Sequence, residues 1–496
     1  MALSKRFLFS AMLAVAEVAC GASSWLQAQE HGQSAGLMDD DLLIEAPPLP
    51  DHGLRTAPQP SASRPVAAAA NRGAANDPGP VLIDSGRLPI PGQPARDLPP
   101  PGEIDANGSA AAGIFSCIPH GTENGGIVAE VIYTGETFHI AKGGMPTRRR
   151  TNFRSNLDIV LNIDLEAMGL WDGGRLFIYG QNLAGTLHPL GEIQLFSNID
   201  STISVTERPE FTTIAEYWYE QYFLDDTVRF KIGKQDANAD FAYTDLGGDF
   251  INSSFGLPPN IPLPTFPSQA LGLAGFFELF EDITLSLGAY DGTAADGPQG
   301  VKWGFDTLGR NGAISLAQLE FRGQAGPGGQ HPSTFRFGAW HHSDDDQWVS
   351  FGTTPASFNQ NYGAWTSIDY LLFKESYAGD NDEGLGVFLQ GSWAPDNRNM
   401  IRNALVGGLA YRGLIWGRDS DLIGAGVGVA RLSDSYLGAE LADGNSLKSR
   451  EIVTELFYKF QVTPAVTLQP DMQFITSPGA MFDDALLFGI RFEAVL

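Results

Sequence analysis

Long apolar runs are missing from this chain of 496 residues once its first 20 are passed. A membrane-spanning helix needs about 20 consecutive, mostly apolar residues, so no such helix is available beyond that point. Basic residues are also scarce, with 31 Lys and Arg against 58 Asp and Glu and a formal net charge of −27. Binding of nucleic acid depends on clustered Lys and Arg, so we expect no nucleic acid among the partners.

Cysteine is nearly absent, since the chain has only Cys20 and Cys117. Residues 1–28 predict an export signal, because Lys5 and Arg6 precede an apolar segment that is too short to span a membrane. If Cys20 leaves with the signal, the single remaining cysteine cannot form an internal disulfide. The residues around Cys20 also resemble a lipoprotein cleavage site, and lipidation is therefore an alternative.

Residues 29–113 predict a Pro-rich, disordered periplasmic segment. Fourteen of the 31 prolines lie between Pro47 and Pro101. Such a composition buries too little apolar surface to offset the entropy lost on ordering. A tether to a periplasmic partner or to the cell wall is the alternative interpretation.

Limited proteolysis tests this interpretation. We expect a protease to trim residues 35–110 while the rest of the chain survives, because the segment lacks the apolar residues that hold a fold together. Protection of this segment to the same degree as the remainder would show that it folds or docks.

Residues 114–496 predict an all-β domain. In the last strand, Phe488, Ile490 and Phe492 share one apolar face, and Arg491 and Glu493 share the opposite face. Abundant Gly and aromatic residues favour antiparallel β-structure. Sixteen strands are predicted, at 128–133, 154–162, 175–182, 213–222, 227–233, 270–278, 283–290, 313–322, 334–341, 362–372, 384–393, 404–412, 421–429, 450–460, 466–475 and 485–495.

The connections between these strands alternate in length. Tight turns are predicted around 225–226, at 279–282 and at 461–465. Long loops, all of the opposite parity, are predicted at 183–212, 234–269, 291–312, 342–361 and 430–449. Short turns at one end and long loops at the other are typical of an outer-membrane barrel. The sequence therefore predicts a transmembrane antiparallel β-barrel of about 16 strands in the cell outer membrane, wide enough for an aqueous channel.

Four segments resemble the OprB-type carbohydrate-selective porins. They are FRSNLDIVLNIDLEAMGLWDGG at 153–174, RFKIGKQDANADFAYTDLGGDFINSSFG at 229–256, LVGGLAYRGLIWGRDSDLIGAGVG at 405–428 and EIVTELFYKFQVTPAVTLQPDMQFITSPG at 451–479. The resemblance implies a monomeric or loosely associated barrel, with a trimer possible, that admits mono- and small oligosaccharides. Its other partners would be outer-membrane lipid and lipopolysaccharide. The chain ends in Leu496, where such barrels usually end in an aromatic residue.

Polar and aromatic side chains on the predicted lumen faces are candidates for the sugar path. A neutral sugar offers hydroxyls for hydrogen bonds and weakly apolar ring faces for stacking. The candidates are Glu216, Trp218, Glu220, Arg229, Lys231, Asp471, Gln473 and Arg491. The alternative for each is a polar lining that only holds water.

The loop 234–269 is the predicted constriction element. It is long, and the stretch PPNIPLPTFP stiffens it, so it is suited to narrow a pore. Its candidate residues are Asp236, Asp240, Asp245, Asp249 and Asn252. The alternative is a loop that covers the outer surface.

Two motifs are discounted. His341 and His342 precede an acidic run, but neighbouring residues of a strand point to opposite faces and cannot easily share one ion, so we predict no metal site and place the run in a solvated extracellular loop. The Gly-x-Gly-x-Gly run at 424–428 has neither the spacing nor the following helix of a nucleotide-binding loop, and it favours a strand with small side chains.

Three functions remain open. The favoured one is a channel for neutral sugars such as glucose. The second is a general or cation-preferring porin of the same fold, which lumen charge and sugar competition would separate. The third is a secreted β-rich enzyme, which detergent-dependent extraction would separate. Since no catalytic motif is present, we predict no catalytic residues, no cofactor and no enzyme activity.

Overall fold

The computed structural model describes residues 126–146, 150–186, 210–292, 303–305, 307–325, 331–351, 356–375 and 383–495. The predicted export signal, the Pro-rich segment, both cysteines and Leu496 lie outside the described residues, as does most of the predicted loop 183–212. The boundary between the Pro-rich segment and the β domain therefore stays a prediction.

Sixteen antiparallel strands form one closed barrel. They are β1 (Ile127–Lys142), β2 (Thr151–Asp164), β3 (Gly174–Gly185), β4 (Glu210–Phe223), β5 (Val228–Gln235), β6 (Ala270–Phe280), β7 (Ile283–Asp291), β8 (Ala313–Ala325), β9 (His331–Val349), β10 (Ser357–Lys374), β11 (Gly384–Trp393), β12 (Ile401–Arg412), β13 (Leu422–Leu432), β14 (Arg450–Thr463), β15 (Val466–Thr476) and β16 (Ala485–Val495). Each strand pairs with its neighbours in sequence, and β1 pairs with β16 to close the sheet. The predicted barrel and strand number are confirmed.

Alternating side chains give the barrel an apolar outside and a polar inside. In β5, Phe230 and Ile232 point outward and are 46% and 59% exposed, whereas Arg229 and Lys231 are buried inside. The same alternation places Phe488 and Phe492 of β16 outside. Lipid on one side and a polar lumen on the other explain this period of two.

Tight turns close one end of the barrel where they were predicted. Between β4 and β5, Asp225 and Asp226 adopt positive φ angles of 53° and 65°, a conformation that Asp tolerates better than most residues. Residues 281–282 join β6 to β7, and residues 464–465 join β14 to β15. Because the barrel is antiparallel, the connection from β5 to β6 lies at the opposite end.

The prediction of a long loop at 342–361 is wrong. Strands β9 and β10 run into this segment and leave only residues 350–356 between them. His341 and His342 thus lie in a strand and not in a loop; His341 is exposed and His342 is buried. A strand pair that extends past the bilayer needs no apolar outer face, so the alternation that marks a strand disappears from the sequence.

Helical structure is limited within the described ranges. One α-helix, α1 (Asp434–Ala442), lies in the connection between β13 and β14. No helix in the described part of the chain is both long and apolar enough to cross a membrane. The same residues contain no group of three or more His, Cys, Asp and Glu side chains that could hold a metal ion.

A charge on the outer face tests the lipid-facing assignment. We expect Phe230→Asp to lower barrel stability by up to about 2 kcal/mol, because a carboxylate would face hydrocarbon. Phe230→Leu is the matched control and should assemble normally. The measurement is the fraction of folded barrel recovered after refolding into lipid vesicles, and equal recovery of both variants would contradict the assignment.

Candidate functional site

The loop between β5 and β6, residues 236–269, folds into the barrel. Three short 3-10 helices shape it: Ala237–Ala239, Leu246–Asp249 and Ser253–Phe255. Nearly every residue of the loop is buried, although the loop belongs to no strand. We call this segment the inner loop. It therefore lies in the lumen and not over the outer surface.

Asp236 ties the two ends of the inner loop together. Its carboxylate accepts hydrogen bonds from the backbone N–H of Asn238 at 2.8 Å, from Thr265 Oγ1 at 3.1 Å and from the backbone N–H of Phe266 at 3.1 Å. Burial raises the pKa of Asp236, and these hydrogen bonds oppose the rise only in part. The single carboxylate of Asp236 thus holds the start of the loop next to its end.

Asp240 fixes the first turn of the inner loop to β5. Arg229 Nη2 lies 2.9 Å from Asp240 Oδ1, and Lys231 Nζ lies 2.8 Å from Oδ2. Arg229 also donates to Glu220 of β4 at 2.6 Å. Burial alone would raise the pKa of Asp240, but the charges of Lys231 and Arg229 outweigh it and hold the pKa below its ordinary value. The carboxylate therefore stays ionised in mildly acidic solution.

Arg336 of β9 is the centre of a second anchor. Its guanidinium bonds to three carboxylates, each at 2.7 Å: Asp245 of the inner loop, Glu320 of β8 and Asp369 of β10. The ring of Tyr243 lies 3.9 Å from the guanidinium carbon. Arg336 was not among the predicted residues, and its only signal was a lone Arg within an apolar stretch.

A third anchor holds the middle of the inner loop against β14 and β15. Glu455 accepts hydrogen bonds from the backbone N–H groups of Ile251 at 2.6 Å and Asn252 at 3.0 Å. Asn252 Nδ2 donates to Gln473 Oε1 at 3.1 Å. Asp249 pairs with Lys459 of β14 at 3.2 Å. Glu455 was also missed, because a Glu on a lumen face reads as ordinary lining.

Aromatic side chains pack the middle of the inner loop against a glycine-rich part of β13. Phe250 and Phe255 stack with ring centroids 4.4 Å apart. A Cβ atom at Gly426 of β13 would lie 2.5 Å from the Phe255 ring and 2.8 Å from the Phe250 ring. The Gly-x-Gly-x-Gly run at 424–428 lies in strand β13, as predicted, and the missing side chain of Gly426 makes room for the loop.

Trp218 is enclosed by its neighbours on the two adjoining strands. Phe177 of β3 stacks on it with centroids 4.7 Å apart, and Lys231 Nζ of β5 lies 4.5 Å from the ring centre. Its Nε1 donates to Glu216 at 3.1 Å, and the residue is only 6% exposed. In this structure Trp218 packs between Phe177 and the ammonium group of Lys231.

The predicted residues fall into separate groups. Glu216 accepts a hydrogen bond from the backbone N–H of Asp236, and Arg229 and Lys231 pair with Asp240. Gln473 of β15 accepts from Asn252 in the middle of the loop. Asp471 is buried on the lumen side of β15, two residues before Gln473. Arg491 forms a salt bridge with Glu136 of β1. The structure thus bonds four of the eight predicted wall residues to the inner loop but does not gather the eight into one cluster.

Comparisons with known proteins agree with this architecture. The chain is 23% identical over 398 residues to Porin B of Pseudomonas aeruginosa, covering 73% of this chain and 86% of that protein. It is 22% identical over 383 residues to the putative porin QuiX of Acinetobacter baylyi, covering 70% and 84%. The high-pH structure of Pseudomonas putida OprB has the same fold, with a TM-score of 0.67, 19% identity, and coverage of 75% of this chain and 94% of that one.

The decisive match is to a family. The family described as carbohydrate-selective porin, OprB family, matches residues 154–496, which is more than half of the chain. The chain therefore belongs to the OprB family of carbohydrate-selective porins and is a sugar channel of the outer membrane.

Proposed function

We propose that the inner loop sets the cross-section of this sugar channel, and that sugars pass between the loop and the wall formed by β1–β4 and β16. The supporting observation is the one-sided anchoring of the middle of the loop, residues 245–252. Its bonds to Arg336, Asp369, Glu455 and Gln473 lead to the wall from β9 to β15. Because the loop fills the lumen beside β9 to β15, the open passage for sugars lies along the opposite wall.

The predicted sugar-path residues then divide into two roles. Arg491 belongs to the wall of the passage, where its pair with Glu136 offers charged hydrogen-bonding groups to hydroxyls. Arg229 and Lys231 act indirectly, since their charges are held by Asp240. In this scheme the barrel is a monomer, and sugars cross it by passive diffusion. No covalent step is involved, so the protein has no enzyme activity. Lipid and lipopolysaccharide contact the apolar outer face.

A preference for cations among small ions is a second candidate property. Glu136 of β1 and Glu493 of β16 are acidic residues on the lumen side of the wall that borders the proposed passage. Acidic groups on a channel wall attract cations and repel anions. This property is compatible with passage of neutral sugars, which carry no charge.

Liposome swelling tests the proposed function. We expect glucose to enter vesicles that contain the purified protein faster than a charged sugar acid of similar size, and larger oligosaccharides to be excluded, because a fixed loop narrows the barrel. Vesicles without protein are the control. Equal rates for neutral and acidic sugars of every size would support a general porin instead. A reversal potential in a salt gradient reports the cation preference separately.

A further inference from the structure

We propose that Asn156, Asp158, Tyr179 and Gln181 form a hydroxyl-binding site for neutral sugars on the lumen wall of β2 and β3. This inference rests on the proposed path along the β1–β4 wall and names a site within it. None of the four residues was predicted from the sequence.

The four side chains meet on two paired strands. Asp158 lies directly opposite Gln181 in the register of β2 and β3, and Val160 lies opposite Tyr179. Asn156 Nδ2 donates to Asp158 Oδ1 at 2.7 Å, and the Tyr179 hydroxyl donates to the same oxygen at 2.6 Å. The hydroxyl also lies 3.2 Å from Gln181 Oε1. The strands thus hold the four groups in fixed positions.

Two polar atoms in this arrangement have no hydrogen-bond partner among the described residues. They are Asn156 Oδ1, an acceptor, and Gln181 Nε2, a donor, although the residues are only 4% and 2% exposed. Burial of such groups without a partner is unfavourable, and native proteins seldom leave them so unless water or a ligand completes the bonding. Both described bonds to Asp158 go to Oδ1, which leaves Oδ2 as a further acceptor.

This set of groups matches the chemistry of a sugar. Each sugar hydroxyl donates one hydrogen bond and accepts others, so a pair of neighbouring hydroxyls needs both acceptors and a donor. Asn156 Oδ1 and Asp158 Oδ2 would accept, and Gln181 Nε2 would donate. A carboxylate that already receives two bonds orients the site without requiring a cation. None of the four side chains is cationic, so the site offers an anionic sugar no opposite charge and favours neutral sugars.

An apolar surface adjoins the polar groups. Val160, Phe177 and Trp218 form one buried cluster with the ring of Tyr179 on the same wall. Sugar recognition combines such apolar contact with directional hydrogen bonds. The juxtaposition of this cluster with two amide atoms that have no described partner distinguishes the site from a lining that only holds water.

Sugar block of ion current tests the site. The full-length protein is reconstituted in planar bilayers, and current is recorded with increasing glucose. We expect Asn156→Ala and Gln181→Ala each to raise the half-blocking glucose concentration by about fivefold, the effect of losing one neutral hydrogen bond. Asn182→Ala is the matched control: Asn182 is the next residue of β3, its amide bonds to Thr212, and it points to the outer face. This variant should be blocked like the native channel.

The outcomes separate this inference from the proposed function. Block of the native channel with unchanged block of both variants would overturn the site and leave the sugar path intact. Absence of any glucose block or glucose entry in the native channel would overturn both. Gln181→Met, which keeps the shape without the donor, guards against misfolding. Failure of both Gln181 variants to assemble, when Asn182→Ala assembles, would show a purely structural role and overturn the site.

Discussion

Arg336→Ala is expected to release the inner loop, raise single-channel conductance several-fold and abolish discrimination among sugars by size. The guanidinium lies between three carboxylates and is almost fully buried. Removal of one partner from a buried charge network leaves the others uncompensated and typically costs about 3–5 kcal/mol. Repulsion between Asp245, Glu320 and Asp369 would then act directly on the loop.

Arg402→Ala is the matched control for this prediction. Arg402 also pairs with an aspartate, Asp434 at 2.9 Å, but the two side chains are 35% and 63% exposed. Exposed pairs of this kind contribute about 0–1 kcal/mol. Conductance recordings and liposome swelling with graded sugars measure the effect. Native conductance and native size exclusion in Arg336→Ala would show that the loop is held without this anchor.

Gly426→Val is expected to displace the inner loop by steric collision, whereas Arg336→Ala displaces it by loss of an anchor. The added side chain would collide with the rings of Phe255 and Phe250, which lie within 2.8 Å of even a single Cβ at this position. Overpacking of a filled interior typically costs about 1–3 kcal/mol. We expect a lower midpoint of thermal unfolding and an unsteady conductance, as the loop alternates between positions.

Ala425→Val controls for this substitution at the preceding position. Ala425 is exposed on the outer face of β13, where a larger apolar side chain meets lipid. The control should keep the native conductance and thermal midpoint. A quiet, native-like channel in Gly426→Val would mean that the loop does not rest on this wall.

The sequence predicted the wall of the barrel better than its contents. Strand positions and outward-facing residues such as Phe230 and Ile232 followed from alternation, because lipid imposes one rule on every strand. The inner loop was predicted to narrow the pore from its length and prolines. The surface on which the loop packs was not predicted. The lumen faces near Phe388, Val406 and Phe457 are apolar, whereas the lumen of such a barrel is expected to be polar. Those faces are apolar because the loop covers them.

The charged anchors escaped prediction for a different reason. Arg336 and Glu455 act through partners that are far away in the chain, such as Asp245 and the backbone of Ile251. Spacing rules detect side chains that share a strand or a turn, and such distant pairs leave no local pattern. The aspartates of the loop were visible as candidates, whereas the residues that hold them were visible only in the structure.

The third anchor also constrains the order in which this protein is built. Ile251 and Asn252 bond to Glu455 across 204 and 203 residues of chain, and Asn252 reaches Gln473 across 221. The ribosome therefore makes the loop long before it makes the strands that receive it. Contacts between such distant residues form slowly, since a large loop of chain must close first. Until β14 and β15 have been synthesised, part of the surface against which the phenylalanines of the loop pack is missing. The last strands therefore complete the barrel wall and the packing of its interior together.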